Sequence, residues 1–209
     1  MLFEPAHLDP EFLPLLEPFD LGHLERDPAS ACGLWEDLSI AYLNRAWDRF
    51  AAENGGHDVG RRFGLGTSLL DGISGPLAGF YREALTRAIE AGEPWEHAYE
   101  CSSPLVERHC ALRALPLRSG EDRGLLVTHA LLVERPHDRT PQEAGERYRS
   151  AGGLVTQCSH CRRVRRASGP GVGQWDWVPE YLARRPERIT HGLCYLCYGF
   201  YYEGPYRQT

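Results

Sequence analysis

The chain has 209 residues, of which 42% are hydrophobic and 25% charged, a composition typical of a soluble globular protein. It has no run of 18 or more apolar residues, which argues against a membrane span. The first residues lack the basic and apolar regions of a signal peptide. We therefore expect a cytoplasmic protein that does not act at a membrane.

The charge is distributed unevenly along the chain. Residues 1–151 hold 15 arginines against 25 acidic residues, a net charge of −10, whereas residues 152–209 hold 8 arginines against 4, a net charge of +4. This change of sign predicts two units. The chain also has seven cysteines. Because no export signal accompanies them, their paired spacing favours metal or redox chemistry over a disulfide framework.

The predicted elements begin with an N-terminal helical cap over residues 1–29, whose early prolines break it into short pieces. Strands follow at 31–37 and 38–44, and a helix over 44–54 has apolar residues at helical spacing and a stop signal at 54–56. A second helix opens at Pro76 and ends at Gly92. Three further strands are predicted at 95–102, 106–117 and 124–134.

This order of two strands, helices and three strands predicts an α+β fold, a five-stranded antiparallel sheet with helices on one face. "AYLNRAWDRFAAENGG", "YECSSPLVERHCALRALPL" and "GLLVTHALLVERP" follow one another in order, and together they resemble the PAS modules of bacterial sensor kinases. The resemblance covers about residues 30–136 and implies a PAS-like sensory domain. We expect seven apolar residues in its interior: Trp47, Phe50, Leu77, Leu85, Ile89, Leu112 and Val127.

The resemblance also implies a pocket between sheet and helices that could hold an unidentified small molecule. Four polar groups on the predicted strands are candidates to line it: Cys101, His109, Cys110 and His129. A cysteine or histidine on a strand is more often a core or sheet-face residue than a ligand, and both interpretations stay open.

Residues 137–151 have Thr140, Pro141 and Glu143 in capping-box spacing, which predicts a linker helix of about three turns before a small module at 152–209. That module contains two Cys-x-x-Cys pairs, Cys158 with Cys161 and Cys194 with Cys197. Four thiolates in two tight turns suit tetrahedral Zn2+. A unit of about 50 residues has little core, so a structural metal would stabilise it. Free cysteines or a redox dithiol are the alternatives.

The stretch from "GLVTQCSHCRRVR" to "HGLCYLCYGFYY" resembles a small cysteine module of bacterial two-component signalling proteins, including response regulators. This resemblance spans about residues 152–202 and implies a zinc-ribbon-like module that binds zinc through the four cysteines. His160 and His191 are possible substitute ligands. We expect His191 rather to orient a neighbouring carbonyl or thiolate.

The leading hypothesis is a non-enzymatic signal-transduction protein, in which a PAS sensor or interaction domain is coupled to a structural zinc module. No nucleophile with its base is recognisable, and no metal site keeps an open position, so we do not expect an enzyme. We expect a homodimer through the PAS domain or its flanking helices, and a sensor kinase, a response regulator or another signalling protein as partner.

Two alternatives have support in the sequence. The basic run Arg162–Arg166 could make the module a DNA- or RNA-binding regulator, although one short cluster on a chain of net charge −6 is more often a solvated face. A thiol-based redox sensor that releases zinc on oxidation is the other alternative.

Overall fold

The computed structural model describes residues 7–53 and 62–203. The predicted stop signal at 54–56, the first six residues of the predicted cap and the last six of the predicted cysteine module lie outside the described residues. By their contacts, the residues group into two compact units. The first comprises Met1–Ile73, Tyr81–Ala98 and Cys110–Leu131, and the second Ser74–Phe80, Tyr99–His109 and Leu132–Thr209.

A five-stranded antiparallel sheet follows the predicted strands closely. Its strands are β1 (Ser30–Trp35), β2 (Ile40–Leu43), β3 (Trp95–Glu100), β4 (Val106–Ser119) and β5 (Asp122–Pro136), in the order β2-β1-β5-β4-β3. In the register, Cys32 of β1 faces Leu43 of β2 on one side and Val127 of β5 on the other. The predicted fold class is confirmed.

The buried side chain of Asn44 fixes the crossing from β2 into the next helix. Its Oδ1 accepts hydrogen bonds from the N–H groups of Ala31 at 2.9 Å and Trp47 at 3.1 Å, while Nδ2 donates to the carbonyl oxygens of Leu24 and Ala29. One fully buried amide thus satisfies backbone groups of three neighbouring segments, as buried polar groups require.

Short helices precede the sheet: a 3-10 turn at Pro10–Phe12, α1 (Leu13–Leu16) and α2 (Leu21–Arg26). Phe12 is fully buried. It lies so close to Gly33 of β1 that a Cβ on residue 33 would overlap the Phe12 ring. Tyr42 donates its hydroxyl hydrogen to buried Glu25 at 2.8 Å. These contacts place the N-terminal helices on the core of the first unit, which is formed by Phe12, Leu15, Leu16, Leu24, Ala31, Ala41, Tyr42, Leu117 and Leu126.

In the described residues between β2 and β3, two longer helices are present: α3 (Arg45–Glu53) and α4 (Leu77–Ala91). Most of the residues expected in the interior are buried, with exposed fractions between 0% and 5%: Leu77, Leu85, Ile89, Leu112 and Val127. Trp47 is half-buried, and the expectation for Phe50 is wrong, because its side chain is 40% exposed. The buried part of α3 is its first turn, at Ala46, and Phe50 lies one turn beyond it.

The second unit contains a small four-stranded sheet with the order β8-β7-β6-β9. Its strands are β6 (Val155–Cys158), β7 (Val164–Arg165), β8 (Trp175–Asp176) and β9 (Ile189–Gly192). β6 pairs antiparallel with β7 and parallel with β9. A short helix follows Pro179 as α5 (Glu180–Ala183). The helix α6 (Tyr195–Tyr198) continues into a π-helical turn at Gly199–Glu203.

The predicted linker helix at 137–151 is wrong, since its helical structure is a single 3-10 turn at Glu146–Tyr148. The backbone of this segment bonds to distant residues instead, for example Gln142 N–H to the carbonyl of Trp177 at 2.8 Å. Tyr148 is fully buried in a core with Val155, Val164, Val178 and Tyr181. The segment 137–151 is therefore packed into the second unit. The division of the chain into a cap, a PAS-like domain, a linker and a cysteine module stays a prediction.

Every helix in the described part of the chain is too short or too polar to cross a membrane.

Candidate metal centre

The first cysteine pair lies in a tight turn at the end of β6. Arg162 N–H donates to the carbonyl of Cys158 at 3.2 Å, and Cys158 N–H donates to that of Arg163 at 2.8 Å. The turn requires Arg162 to adopt a left-handed backbone with φ of 61°, an unfavourable conformation for a residue with a Cβ. The chain thereby reverses direction, and both Cys158 and Cys161 are buried.

The parallel pairing of β6 with β9 brings the second cysteine pair to the first. Cys158 lies opposite Gly192 in the register, so Cys194, two residues later, comes beside Cys158. The N–H of Cys194 points at Cys158 Sγ at 3.5 Å. Cys194 precedes the first turn of α6, and Cys197 follows three residues later on the same face of that turn.

The four sulfur atoms of Cys158, Cys161, Cys194 and Cys197 all lie within 4.8 Å of one another. The Sγ atoms of Cys161 and Cys194 are 3.7 Å apart, too far for a disulfide bond. Four sulfurs at about 2.3 Å from a tetrahedral zinc ion would be about 3.8 Å apart. All four side chains are buried, with exposed fractions from 0% to 6%. The four cysteines could therefore hold a metal ion.

The ionisation of the cluster also fits a cation at its centre. Hydrogen bonds from the neighbouring thiols, that of Cys161 first, lower the pKa of Cys158. The proximity of Cys158 in turn raises the pKa of Cys161 and of Cys197. The hydrogen bond with Cys158 raises the pKa of Cys194, but those with Cys161 and Cys197 outweigh it and lower this pKa to about 7. The four close thiols therefore do not all ionise together on their own. A divalent cation would remove the repulsion and allow all four to ionise.

His160 contacts the cluster, whereas His191 does not make a hydrogen bond to a cysteine among the described residues. His160 Nδ1 lies 3.3 Å from Cys197 Sγ, and Nε2 accepts the N–H of Glu100 at 2.9 Å. Burial lowers the pKa of His160, which favours the neutral ring. His191 lies half-buried on β9, opposite Gln157. Its role as an orienting residue or substitute ligand stays a prediction.

A buried arginine links the cluster to acidic residues that no sequence motif indicated. Arg139 donates to the carbonyl of Cys161 at 3.1 Å and to the carboxylate of Glu100 at 2.7 Å, and a second carboxylate, Glu107, lies 3.8 Å away. The guanidinium also lies 4.9 Å from the ring centroid of Trp177, a cation–π contact. The residues that contact Arg139 are far from it in sequence, so no local sequence pattern predicts these contacts.

The four polar candidates for the PAS pocket are not part of a metal cluster in the described residues. His109 contacts Glu107 at 2.9 Å, and Cys110 is buried. Burial raises the pKa of Cys101 and lowers the pKa of His129 to about 4. They lie on or next to β3, β4 and β5, and whether they line a ligand pocket stays a prediction.

Comparison with known proteins gives the family. The PAS fold matches residues 24–135, more than half of the chain. The chain belongs to the PAS fold family. A search of curated proteins gave no match. The family match agrees with the observed strand order and leaves the cysteine cluster outside the matched residues.

Solved structures, two of them of PAS domains, are also similar to this chain. The PAS domain of Bordetella pertussis BvgS is 20% identical, covering 60% of this chain and 87% of that chain with a TM-score of 0.43. The PAS domain of nitrogen regulation protein NR(II) from Vibrio parahaemolyticus is 18% identical, covering 55% and 100% with a TM-score of 0.38. A domain of an HTR-like protein from Haloarcula marismortui is 17% identical, covering 51% and 100%, also with a TM-score of 0.38. These scores are low, so the assignment to the family depends on the family match.

Proposed function

We propose that the protein is a non-enzymatic signal-transduction protein, in which the PAS domain senses a signal and a structural zinc module stabilises the C-terminal part. Membership of the PAS fold family supports the sensory part. The observation that carries the zinc module is the set of four buried cysteine sulfurs within 4.8 Å of one another.

Zinc is the metal that this donor set favours. Four thiolates in tetrahedral arrangement are typical ligands of zinc, and of iron in sulfur-rich sites. A site closed by four protein ligands has no position for substrate or water, whereas catalytic zinc sites keep one open. The cluster therefore supports a structural role, in which metal binding contributes directly to the folding of the module.

The arrangement of the arginines gives less support to a nucleic-acid-binding role. Arg166 forms an ion pair with Asp176 and also donates to the carbonyl of Pro170. Its side chain is 19% exposed, so one of the four basic residues is already engaged within the protein. A phosphate-binding surface needs several arginines free to contact the backbone of the nucleic acid.

A homodimer and a signalling partner belong to the same proposal. Consecutive apolar side chains at the end of β5 are exposed by 55%, 58% and 42%, at Leu131, Leu132 and Val133. An exposed apolar run of this kind is typical of a protein contact. We place the dimer contact on the PAS domain or its flanking helices, and a sensor kinase or response regulator as the partner. A small molecule in the PAS pocket is the proposed signal.

The proposal is tested on protein purified anaerobically without chelator. Elemental analysis should find one zinc per chain, and the absorption spectrum should reveal any flavin, haem or iron. Light scattering after size-exclusion chromatography should give the mass of a dimer. A metal-free protein that is fully folded would contradict the zinc module, and hydrolysis of ATP by the purified protein would contradict the non-enzymatic role.

A further inference from the structure

The ring of His160 lies between the cysteine cluster and the end of β3. Its Nε2 accepts a hydrogen bond from the backbone N–H of Glu100 at 2.9 Å, so this nitrogen carries no proton. In the neutral ring the proton is then on Nδ1, 3.3 Å from Cys197 Sγ. The Glu100 amide thus fixes the tautomer in which His160 donates a hydrogen bond to the cysteine sulfur.

Aromatic packing holds the ring in this orientation. Phe200 stacks on His160 with centroids 5.7 Å apart and an interplanar angle of 2°, and Tyr201 packs edge-on at 5.2 Å and 88°. A ring held on two sides loses little further freedom when its two nitrogens form hydrogen bonds. The path from Glu100 through the His160 ring to Cys197 is therefore a rigid connection between segments that are distant in sequence.

Glu100 has a second connection to the cluster through its carboxylate. That side chain is 4% exposed and forms an ion pair at 2.7 Å with Arg139, which also donates to the carbonyl of Cys161. One strand residue is therefore bound by its backbone through His160 to Cys197, and by its side chain through Arg139 to Cys161. The two contacts reach one cysteine of each Cys-x-x-Cys pair.

We propose that His160 is a positioning residue that couples metal binding at the four cysteines to the order of the strand end at Glu100. This inference rests on the proposed metal site. A metal ion at the four cysteines would hold Cys197 in place, 3.3 Å from Nδ1 of His160, as the acceptor of the Nδ1–H hydrogen bond. When the metal leaves, the two cysteine pairs are no longer held together. His160 then loses its anchor, and Glu100 loses the acceptor of its amide.

The coupling gives the protein a route by which the metal centre acts on PAS residues. Glu100 ends β3, and it lies within residues 24–135, which match the PAS fold. A change at the cysteine cluster would therefore alter the stability of a strand end that belongs to the sensory fold, and ligand-induced changes at that strand would act on the metal by the same amount.

The test is amide hydrogen exchange by NMR on the full chain, with zinc bound and after its removal by a chelator. Removing zinc is expected to accelerate exchange of the Glu100 amide by about tenfold or more, as expected for the loss of one hydrogen bond. His160→Phe should have the same effect with zinc still bound. His160→Gln, whose amide offers a donor and an acceptor, should restore slow exchange. His191→Phe is the matched control and should leave the Glu100 amide unchanged.

The cobalt absorption spectrum and the metal content of the wild type separate this proposal from that of the metal site. In the cobalt-substituted protein, the thiolate-to-metal charge-transfer band should shift in His160→Phe and return in His160→Gln. Unchanged Glu100 exchange in His160→Phe and after zinc removal, with one zinc bound by the wild type, would overturn the coupling alone. A wild type that binds no metal would overturn the proposed metal site and with it the coupling.

Discussion

Replacing Arg139 by methionine would remove the ion-pair partner of the buried carboxylate of Glu100, whereas the second carboxylate, Glu107, would keep Arg135 and His109. The Arg139 side chain is 9% exposed and faces Glu100, 4% exposed, at 2.7 Å and Glu107, 8% exposed, at 3.8 Å. Removing one partner of a buried ion pair costs about 3–5 kcal/mol, because the remaining charge stays out of water without its partner. Since domains have a total stability of about 5–15 kcal/mol, this loss would be a large fraction of it.

Arg135→Met is the matched control for this experiment. Arg135 also contacts Glu107, at 3.0 Å, but its side chain is 56% exposed, so water screens this ion pair and its loss should cost much less than the loss of Arg139. The assay is urea unfolding of zinc-loaded protein at neutral pH. Adding Glu100→Gln to Arg139→Met should recover part of the loss, as a double-mutant cycle would show. Equal losses for the two arginine variants would refute this reasoning.

Three further predictions concern the backbone and one titrating group. Gly75 has a φ of 64° and little room for a Cβ, so Gly75→Ala should lower the melting temperature. Gly79 in α4 has open space around it, so Gly79→Ala should instead raise the free energy of unfolding by up to about 1 kcal/mol. Arg162→Gly should relieve the left-handed turn and stabilise the protein by up to about 1 kcal/mol, whereas Arg163→Gly should not. Burial lowers the pKa of His129 to about 4, below an unfolded value of about 6.5. Between pH 6.5 and pH 4 the unfolded chain binds a proton at His129 that the folded protein does not. The free energy of unfolding should therefore fall as the pH falls across this range, by up to about 1.4 kcal/mol per pH unit. Urea unfolding should show a weaker pH dependence in His129→Leu over the same range.

The strands and the cysteine cluster could be predicted because their signals are local. The strand at 106–117 and its partner at 124–134 have apolar residues at the right spacing, and a glycine turn joins them. Each Cys-x-x-Cys pair carries its own geometry, since a tight turn directs both sulfurs of a pair to one side. The convergence of the two pairs on one site could be predicted because a structural zinc ion binds four ligands.

Contacts between distant segments could not be predicted from the sequence. The segment at 137–151 has the capping residues of a helix, but its backbone bonds to Trp177 and its Tyr148 is buried. Tertiary contacts outweighed a weak helix preference there. The bond from Glu100 to His160 joins residues 60 positions apart. A histidine between two cysteines suggests a ligand, and nothing local shows that a backbone N–H will occupy its other nitrogen.

The metal content of single cysteine-to-serine variants tests the central claim most directly. We expect one zinc per chain in the wild type and in the Cys32, Cys101 and Cys110 variants. Metal should be lost, or bound far more weakly, when a serine replaces any member of the cluster: Cys158, Cys161, Cys194 or Cys197. Structural zinc contributes on the order of 10 kcal/mol to the folding of such modules, so these variants should also lose the order of the second sheet. A wild type without metal, or a requirement for Cys101 or Cys110, would contradict the account.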